Sequence, residues 1–124
     1  MIYLDTHVVV WLYAGLVDKF SPAIKELIND NDLGISPMVR LELQYLYEIQ
    51  RIAVEADTIV ADLSNRIGLN VCEKTFSAVV GQAMTISWTR DPFDRLIVAH
   101  AGLNGDVLIS KDQRILDNYL HARW

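Results

Sequence analysis

Cysteine is nearly absent from this chain of 124 residues: Cys72 is the only one, so no internal disulfide can form and a reducing compartment fits. Three prolines and six glycines are scattered rather than clustered, and no repeat, low-complexity tract or linker interrupts the sequence. Positive charge is also scarce. Lysine and arginine number 11 against 16 acidic residues, giving a formal net charge of -5 and excluding a general basic footprint for nucleic acid. A nucleic-acid substrate stays open, because a bound cation would invert the local field. No apolar run approaches the ~20 residues needed to cross a bilayer. The N-terminus carries no basic stretch and places an acid at Asp5, which argues against a signal peptide. These absences predict a soluble, cytoplasmic protein, and 52% hydrophobic content with 22% charged residues predicts one folded domain over residues 1–124.

What is present is an alternation of short apolar runs with helical periodicity. Strands are predicted over residues 1–4, 33–36, 69–72 and 107–109, with an edge strand within 121–124. Helices are predicted over 6–14, 21–29, a long one from Pro37, then 55–67, 75–84, 91–102 and 112–119. Ser21-Pro22 and Asp91-Pro92 are start signals, an N-cap followed by proline, while Gly15 and Gly68 are stops. In the helix from Pro37, Leu41, Tyr45 and Leu46 are predicted to share one side. Alternating strands and helices imply right-handed βαβ units: an α/β fold with a mostly parallel central sheet covered on both faces.

Four acids sit where apolar runs stop. Asp5 closes Ile2-Tyr3-Leu4, Glu42 interrupts an apolar stretch, Asp94 opens Leu96-Ile97-Val98-Ala99, and Asp112 follows Val107-Leu108-Ile109-Ser110. Burying a carboxylate beside a core segment is unfavourable without compensation. The carboxyl ends of parallel strands meet at one edge of an open sheet. The four acids therefore suggest a shared divalent cation, and phosphodiester chemistry with it. Plainer roles exist for each: Asp5 and Asp112 as helix caps, Glu42 on a solvated helix face. Asp91 is best read as an N-cap with Asp94 at N3, so Asp94 is the expected ligand and Asp91 its neighbour. His7, His100 and His121 form no spacing suited to zinc.

Four segments carry a family resemblance: Ile2-Tyr3-Leu4-Asp5-Thr6-His7, Ser36-Pro37-Met38-Val39-Arg40-Leu41-Glu42-Leu43, Arg90-Asp91-Pro92-Phe93-Asp94-Arg95 through Ala101, and Leu108-Ile109-Ser110-Lys111-Asp112. In order and spacing the chain resembles the PIN-domain family and, within it, the VapC-type toxins of toxin–antitoxin pairs. The resemblance implies a three-layer α/β/α sandwich and a magnesium- or manganese-dependent endoribonuclease. Its metal-binding catalytic acids would fall on Asp5, Glu42, Asp94 and Asp112, with Thr6 and Ser110 at small polar positions beside the metal. It also implies a homodimer silenced by a cognate antitoxin protein. His100 stands where glutamine is expected, a change expected to tune packing. Residues 51–87 carry no diagnostic motif.

Among the cations near the acids, Arg40, Arg90, Arg95, Lys111 and Arg114, Arg95 and Lys111 are the favoured RNA contacts. His7 is expected to be structural, Cys72 a buried thiol, and Trp11, Tyr13, Tyr45 and Tyr47 to pack in a core or interface. Trp88 and Trp124 carry no signal. Two other functions compete with the nuclease: a non-catalytic interaction module on the same fold, and a phosphoryl-accepting receiver domain. The receiver is disfavoured because Cys72-Glu73, not an aspartate, follows the third strand.

Overall fold

The computed structural model describes residues 1–124. Strand β1 (Ile2–Leu4) leads into α1 (Thr6–Ala14), the short 3-10 turn Val17–Lys19 and α2 (Pro22–Asp30). Next come β2 (Leu33–Ile35), α3 (Pro37–Glu48), α4 (Ala56–Ile67), β3 (Asn70–Val71) and α5 (Phe76–Ala83). The chain closes with α6 (Pro92–Gly102), β4 (Val107–Ile109), α7 (Gln113–Asn118) and β5 (Ala122–Arg123).

All five strands are parallel, in the order β3-β2-β1-β4-β5. Successive strand side chains point to opposite faces. In β1 and β2 every residue is buried, so both faces of the sheet are covered and the helices form a layer on each side. This is the three-layer α/β/α sandwich. Its core gathers Leu4, Val8, Val9, Ile35, Val39, Leu43, Leu108, Ile109 and Ile115, all with essentially no exposure. No helix is long and apolar enough to cross a membrane.

The local signals act as the sequence predicts. Ser21 and Asp91 accept backbone N–H bonds ahead of a proline at the first helical turn, while Ser36, expected to end the second strand, instead caps α3 in the same way. Gly15 and Gly68 end α1 and α4 at φ +72° and +69°, the left-handed region open to glycine.

Several details differ from expectation. The third strand shrinks from 69–72 to Asn70–Val71, and the turn Val17–Lys19 was not foreseen. In α3 the buried pair is Val39 and Leu43, whereas Leu41 and Tyr45 face outward at 54% and 47% exposure. Leucine and tyrosine occur on two stripes of that helix, and apolar content alone does not choose between them. The choice matters, because Glu42 is adjacent in angle to the inward stripe. Cys72 is half-buried rather than sealed, and its Sγ accepts hydrogen bonds from the Tyr3 hydroxyl at 3.2 Å and the Lys74 amide at 3.4 Å.

Candidate active site

The strand order reverses between β1 and β4: the chain moves outward from β1 through β2 to β3, then returns to place β4 on the other side of β1. Crevices at such reversals, outside the carboxyl ends of the strands, are where open α/β sheets bind ligands. Asp5 follows β1 and Ser110 follows β4, and the Asp5 amide bonds the Ile109 carbonyl at 3.0 Å, extending the pairing into the crevice.

A pocket of about 460 Å³ opens there, lined by Asp5, Glu42, Asp91, Asp94, Asp112, His7, Trp11 and Lys111. All four acids expected as ligands line it, and Asp91 joins them. A larger concavity of about 590 Å³ between Tyr47 and Ala53 has a mixed lining without clustered acids. Charge, rather than volume, distinguishes the crevice.

Asp5 is 7% exposed, and both of its oxygens are held. Oδ1 accepts from the Thr6 amide at 2.8 Å and Oδ2 from the Ser110 hydroxyl at 2.6 Å. Ser110 Oγ in turn accepts from the Asp112 amide at 3.0 Å. The Thr6 hydroxyl donates to Glu42 Oε1. Thr6 and Ser110, both fully buried, thus tie β1, β4, α3 and the start of α7 into one frame. Asp112 caps α7 through the Ile115 amide at 3.1 Å while also lining the pocket. The cap and the pocket-lining position, set against each other in the sequence, coincide in this residue.

Asp91 Oδ1 accepts from the Phe93 and Asp94 amides at 2.8 and 3.3 Å, as a cap should. Asp94, at N3 of α6, is half-buried and its carboxylate receives no hydrogen bond from the protein. Its pKa rises to about 7, first through burial and then through the charges of Asp5, Asp91, Asp112 and Glu42. Burial also raises Asp5 and Glu42, opposed by their hydroxyl and amide donors and by His7. The charge in this crevice is therefore undercompensated by the protein.

Magnesium and manganese favour carboxylate oxygens, water and phosphate, and this lining offers carboxylates free of sulfur. No three acidic, histidine or cysteine side chains already stand close enough to grip an ion. The donor chemistry and the excess negative charge fit a hard divalent cation, in a pocket that holds the donors without a closed cage.

Of the two cations favoured for substrate contact, Lys111 lines the pocket. Arg95 does not: its Nη2 donates to the Ala83 carbonyl at 3.2 Å, tying α6 to the end of α5. Arg40 pairs with Asp57 at 2.6 Å and Arg114 bonds the Trp88 carbonyl at 2.8 Å, both on the surface. His7, expected to be structural, is exposed and faces the carboxylates. Helical phase explains this: Thr6 and Val8 turn inward, which leaves His7 on the crevice side. Trp11, one turn later, lines the same pocket, and Trp124 packs on it with ring centroids 5.6 Å apart. Neither contact had a sequence signal beyond the i,i+4 spacing of His7 and Trp11. His100 is buried, with Nδ1 2.8 Å from Ser36 Oγ and 2.9 Å from the Leu96 carbonyl. It joins α6 to the cap of α3, the packing role expected of it.

Known proteins agree with this architecture. The PIN domain family model matches residues 2–119, and the chain belongs to that family. It is 29% identical over 128 residues to Ribonuclease VapC22 of Mycobacterium tuberculosis (strain ATCC 25618 / H37Rv), covering 98% of this chain and 94% of the relative. Its fold is similar to that in the crystal structure of VapBC2 from Rickettsia felis bound to a DNA fragment from their promoter. There the TM-score is 0.68 at 19% identity, with 100% of this chain and 99% of that chain covered. DNA-bound VapBC from Salmonella typhimurium gives a TM-score of 0.67 at 21% identity, covering 98% and 94%. At these identities the structural likeness is one of fold.

Proposed function

We propose that this chain is a metal-dependent endoribonuclease that hydrolyses RNA phosphodiester bonds, acting as the toxin of a toxin–antitoxin pair. The observation that carries the reading is the crevice at the β1/β4 reversal, where carboxylates from four separate segments share one pocket with a single lysine. The relative named as a ribonuclease, aligned over nearly the whole chain, supports the activity. The VapBC complexes of similar fold support a cognate antitoxin as partner, and a homodimer is what membership of the family leads us to expect as the working state.

Asp5, Glu42, Asp94 and Asp112 would hold magnesium or manganese, and such an ion supplies an activated water and neutralises charge on the phosphoryl oxygens. The chain's own residues prepare that site. Ser110 and the Thr6 amide orient Asp5 and oppose the upward push of burial on its pKa, and the Thr6 hydroxyl aims Glu42. Asp91 holds the first turn of α6, whose positive end favours the charged form of Asp94. With its pKa pushed up to about 7, Asp94 would give up a proton as its carboxylate took a cation. Lys111 is placed to meet a phosphate approaching the pocket.

The test is RNA cleavage by the purified chain with manganese or magnesium, beside Asp94→Asn and Asp5→Asn prepared identically. Cutting that requires metal and disappears in both variants is expected. Equal cutting by wild type and variants would overturn the reading. Absence of cutting together with absence of manganese binding in calorimetry would favour a non-catalytic PIN-fold interaction module.

A further inference from the structure

Beside the carboxylates lies an aromatic cluster assembled from distant parts of the chain. Trp11 on α1 packs against Phe20 with centroids 6.3 Å apart at 62°, and against Trp124 at 5.6 Å and 50°. Phe20 and Trp124 close the triangle at 5.7 Å and 68°. Phe20 is 5% exposed and forms the inner wall, whereas Trp11 is half-buried and reaches the pocket shared with Asp5, Glu42 and Asp94.

Two lysines stand over the Trp11 ring: Lys19 Nζ lies 4.9 Å and Lys111 Nζ 5.7 Å from its centroid. Neither takes part in any ion pair; the salt bridges of the molecule are Arg40–Asp57, Arg66–Asp62 and Lys74–Asp106. In a chain of net charge -5, two uncommitted cations at one indole beside an acidic pocket are a notable concentration. The His7 ring adds a further π-surface 6.1 Å from Trp11.

From this geometry we propose that Trp11 is the platform of a nucleotide subsite, which stacks the base next to the scissile phosphate while Lys19 and Lys111 bind the flanking phosphates. The proposal rests on the ribonuclease reading and deepens it. Single-stranded nucleic acid is held in this manner elsewhere: bases stack on aromatic faces while cations track the backbone. The lysines rest on the indole face through cation–π attraction; when RNA enters they move to phosphate and uncover the ring for a base. Phe20 and Trp124 fix the indole plane in advance, which lowers the ordering entropy that stacking would otherwise require. An aromatic cluster that served only to pin β5 to α1 would have no need of two free cations on its pocket side. Because stacking accepts every base, the subsite contributes affinity and register more than strict sequence choice, with purines favoured by their larger faces.

The test uses a 5′-fluorescein single-stranded RNA of about ten nucleotides, a length suited to one binding groove, titrated by anisotropy. The full-length chain carries Asp94→Asn so that RNA is not consumed, with and without Trp11→Leu or Trp11→Phe. Trp11→Leu is expected to weaken binding about tenfold or more, the scale of one lost base–aromatic stack, and Trp11→Phe to restore most of it. In the cleaving background Trp11→Leu raises KM and leaves kcat within about twofold, the pattern of lost binding rather than lost chemistry. Lys19→Gln with Lys111→Gln leaves the cluster packed, and lowers the slope of log affinity against log salt by about 1 to 1.5. That pair decides the matter if Trp11→Leu fails to fold. Undiminished affinity in Trp11→Leu, or an unchanged salt slope in the lysine pair, would overturn the subsite and leave Trp11 to packing or to a protein partner. Such a result alongside intact metal-dependent cutting spares the ribonuclease reading, whereas no RNA binding by the parent chain overturns both.

Discussion

The two sides of the crevice treat their carboxylates differently. On the side next to β1 and β4, Asp5 and the α3 residue Glu42 are held by Thr6 and Ser110, with both oxygens of Asp5 engaged. On the helix side, Asp94 has no protein donor on its oxygens and its pKa is pushed up to about 7. Donors fix the strand-side charges in place, so the unresolved repulsion of the cluster is concentrated at Asp94. A fixed half and an unsatisfied half suit the cation site proposed above, which would have to be rigid yet open to an ion.

The sharpest way to break this comparison is Asp94→Asn. Loss of roughly a thousandfold or more in metal-dependent cleavage is expected, since a carboxylate ligand supports several kcal/mol of transition-state stabilisation. The metal-free melting temperature should rise by a few degrees, because the substitution removes the least compensated charge. A fall in melting temperature would show that Asp94 is not the strained member.

Ser110→Ala probes the other half. It leaves a buried oxygen of Asp5 without its donor, which costs about 1–3 kcal/mol in stability. Metal affinity should fall about 10- to 100-fold, the usual effect of losing a partner that orients a ligand. Calorimetric titration with manganese and thermal melts read the two effects separately. Unaltered metal affinity would mean that Asp5 orientation does not depend on Ser110.

A pH series sharpens the contrast without touching the fold. The folded pKa of Asp94, about 7, lies above its ordinary value of 3.8. The folded state therefore binds its proton more tightly than the unfolded chain, and protonation favours folding. This contribution is fully present below about pH 4 and is lost as pH rises through about 7. In metal-free protein the wild type should lose stability relative to Asp94→Asn between about pH 4 and 7, measured by denaturant midpoints. Saturating manganese should reverse the difference, since it would bind the wild type more tightly, and release protons on binding, visible in buffers of different ionisation enthalpy.

The smallest effect is expected at Arg40→Ala. Its pair with Asp57 is open to solvent, with side-chain exposures of 54% and 70%, and such screened pairs contribute little to stability. Cleavage and melting temperature should both stay near wild type. A large loss of activity would place Arg40 on the RNA path after all.

Much of this site was legible in order along the chain. Asp5 and Asp112 follow short apolar runs, and a parallel sheet brings such positions to one edge. Asp91-Pro92 reads as a cap with proline behind it, so Asp94 falls one turn inside the helix, where it is found. Glu42 was less legible. The stripe that carries it inward is set by Val39 and Leu43, and Leu41 and Tyr45 offered an equally apolar alternative that the fold leaves exposed. Arg95 looked like a substrate contact because it adjoins Asp94, but one residue along a helix is about 100° of rotation, and it turns to the Ala83 carbonyl instead.

By itself the sequence determined the elements, their caps and stops, the parallel α/β plan and the identity of the acids, because those follow from local periodicity, turn chemistry and the rules of strand connection. Only the tertiary structure decided how the acids differ. Ser110 reaches Asp5 across 105 residues and Thr6 reaches Glu42 across 36, so which carboxylates are satisfied depends on distant segments brought into contact. The same holds for Trp124, whose ring meets Trp11 and Phe20 only because β5 adds to the sheet beside β4. Hydrogen bonds and electrostatic repulsion act over a few ångströms of space, and nothing in the spacing along the chain records those distances.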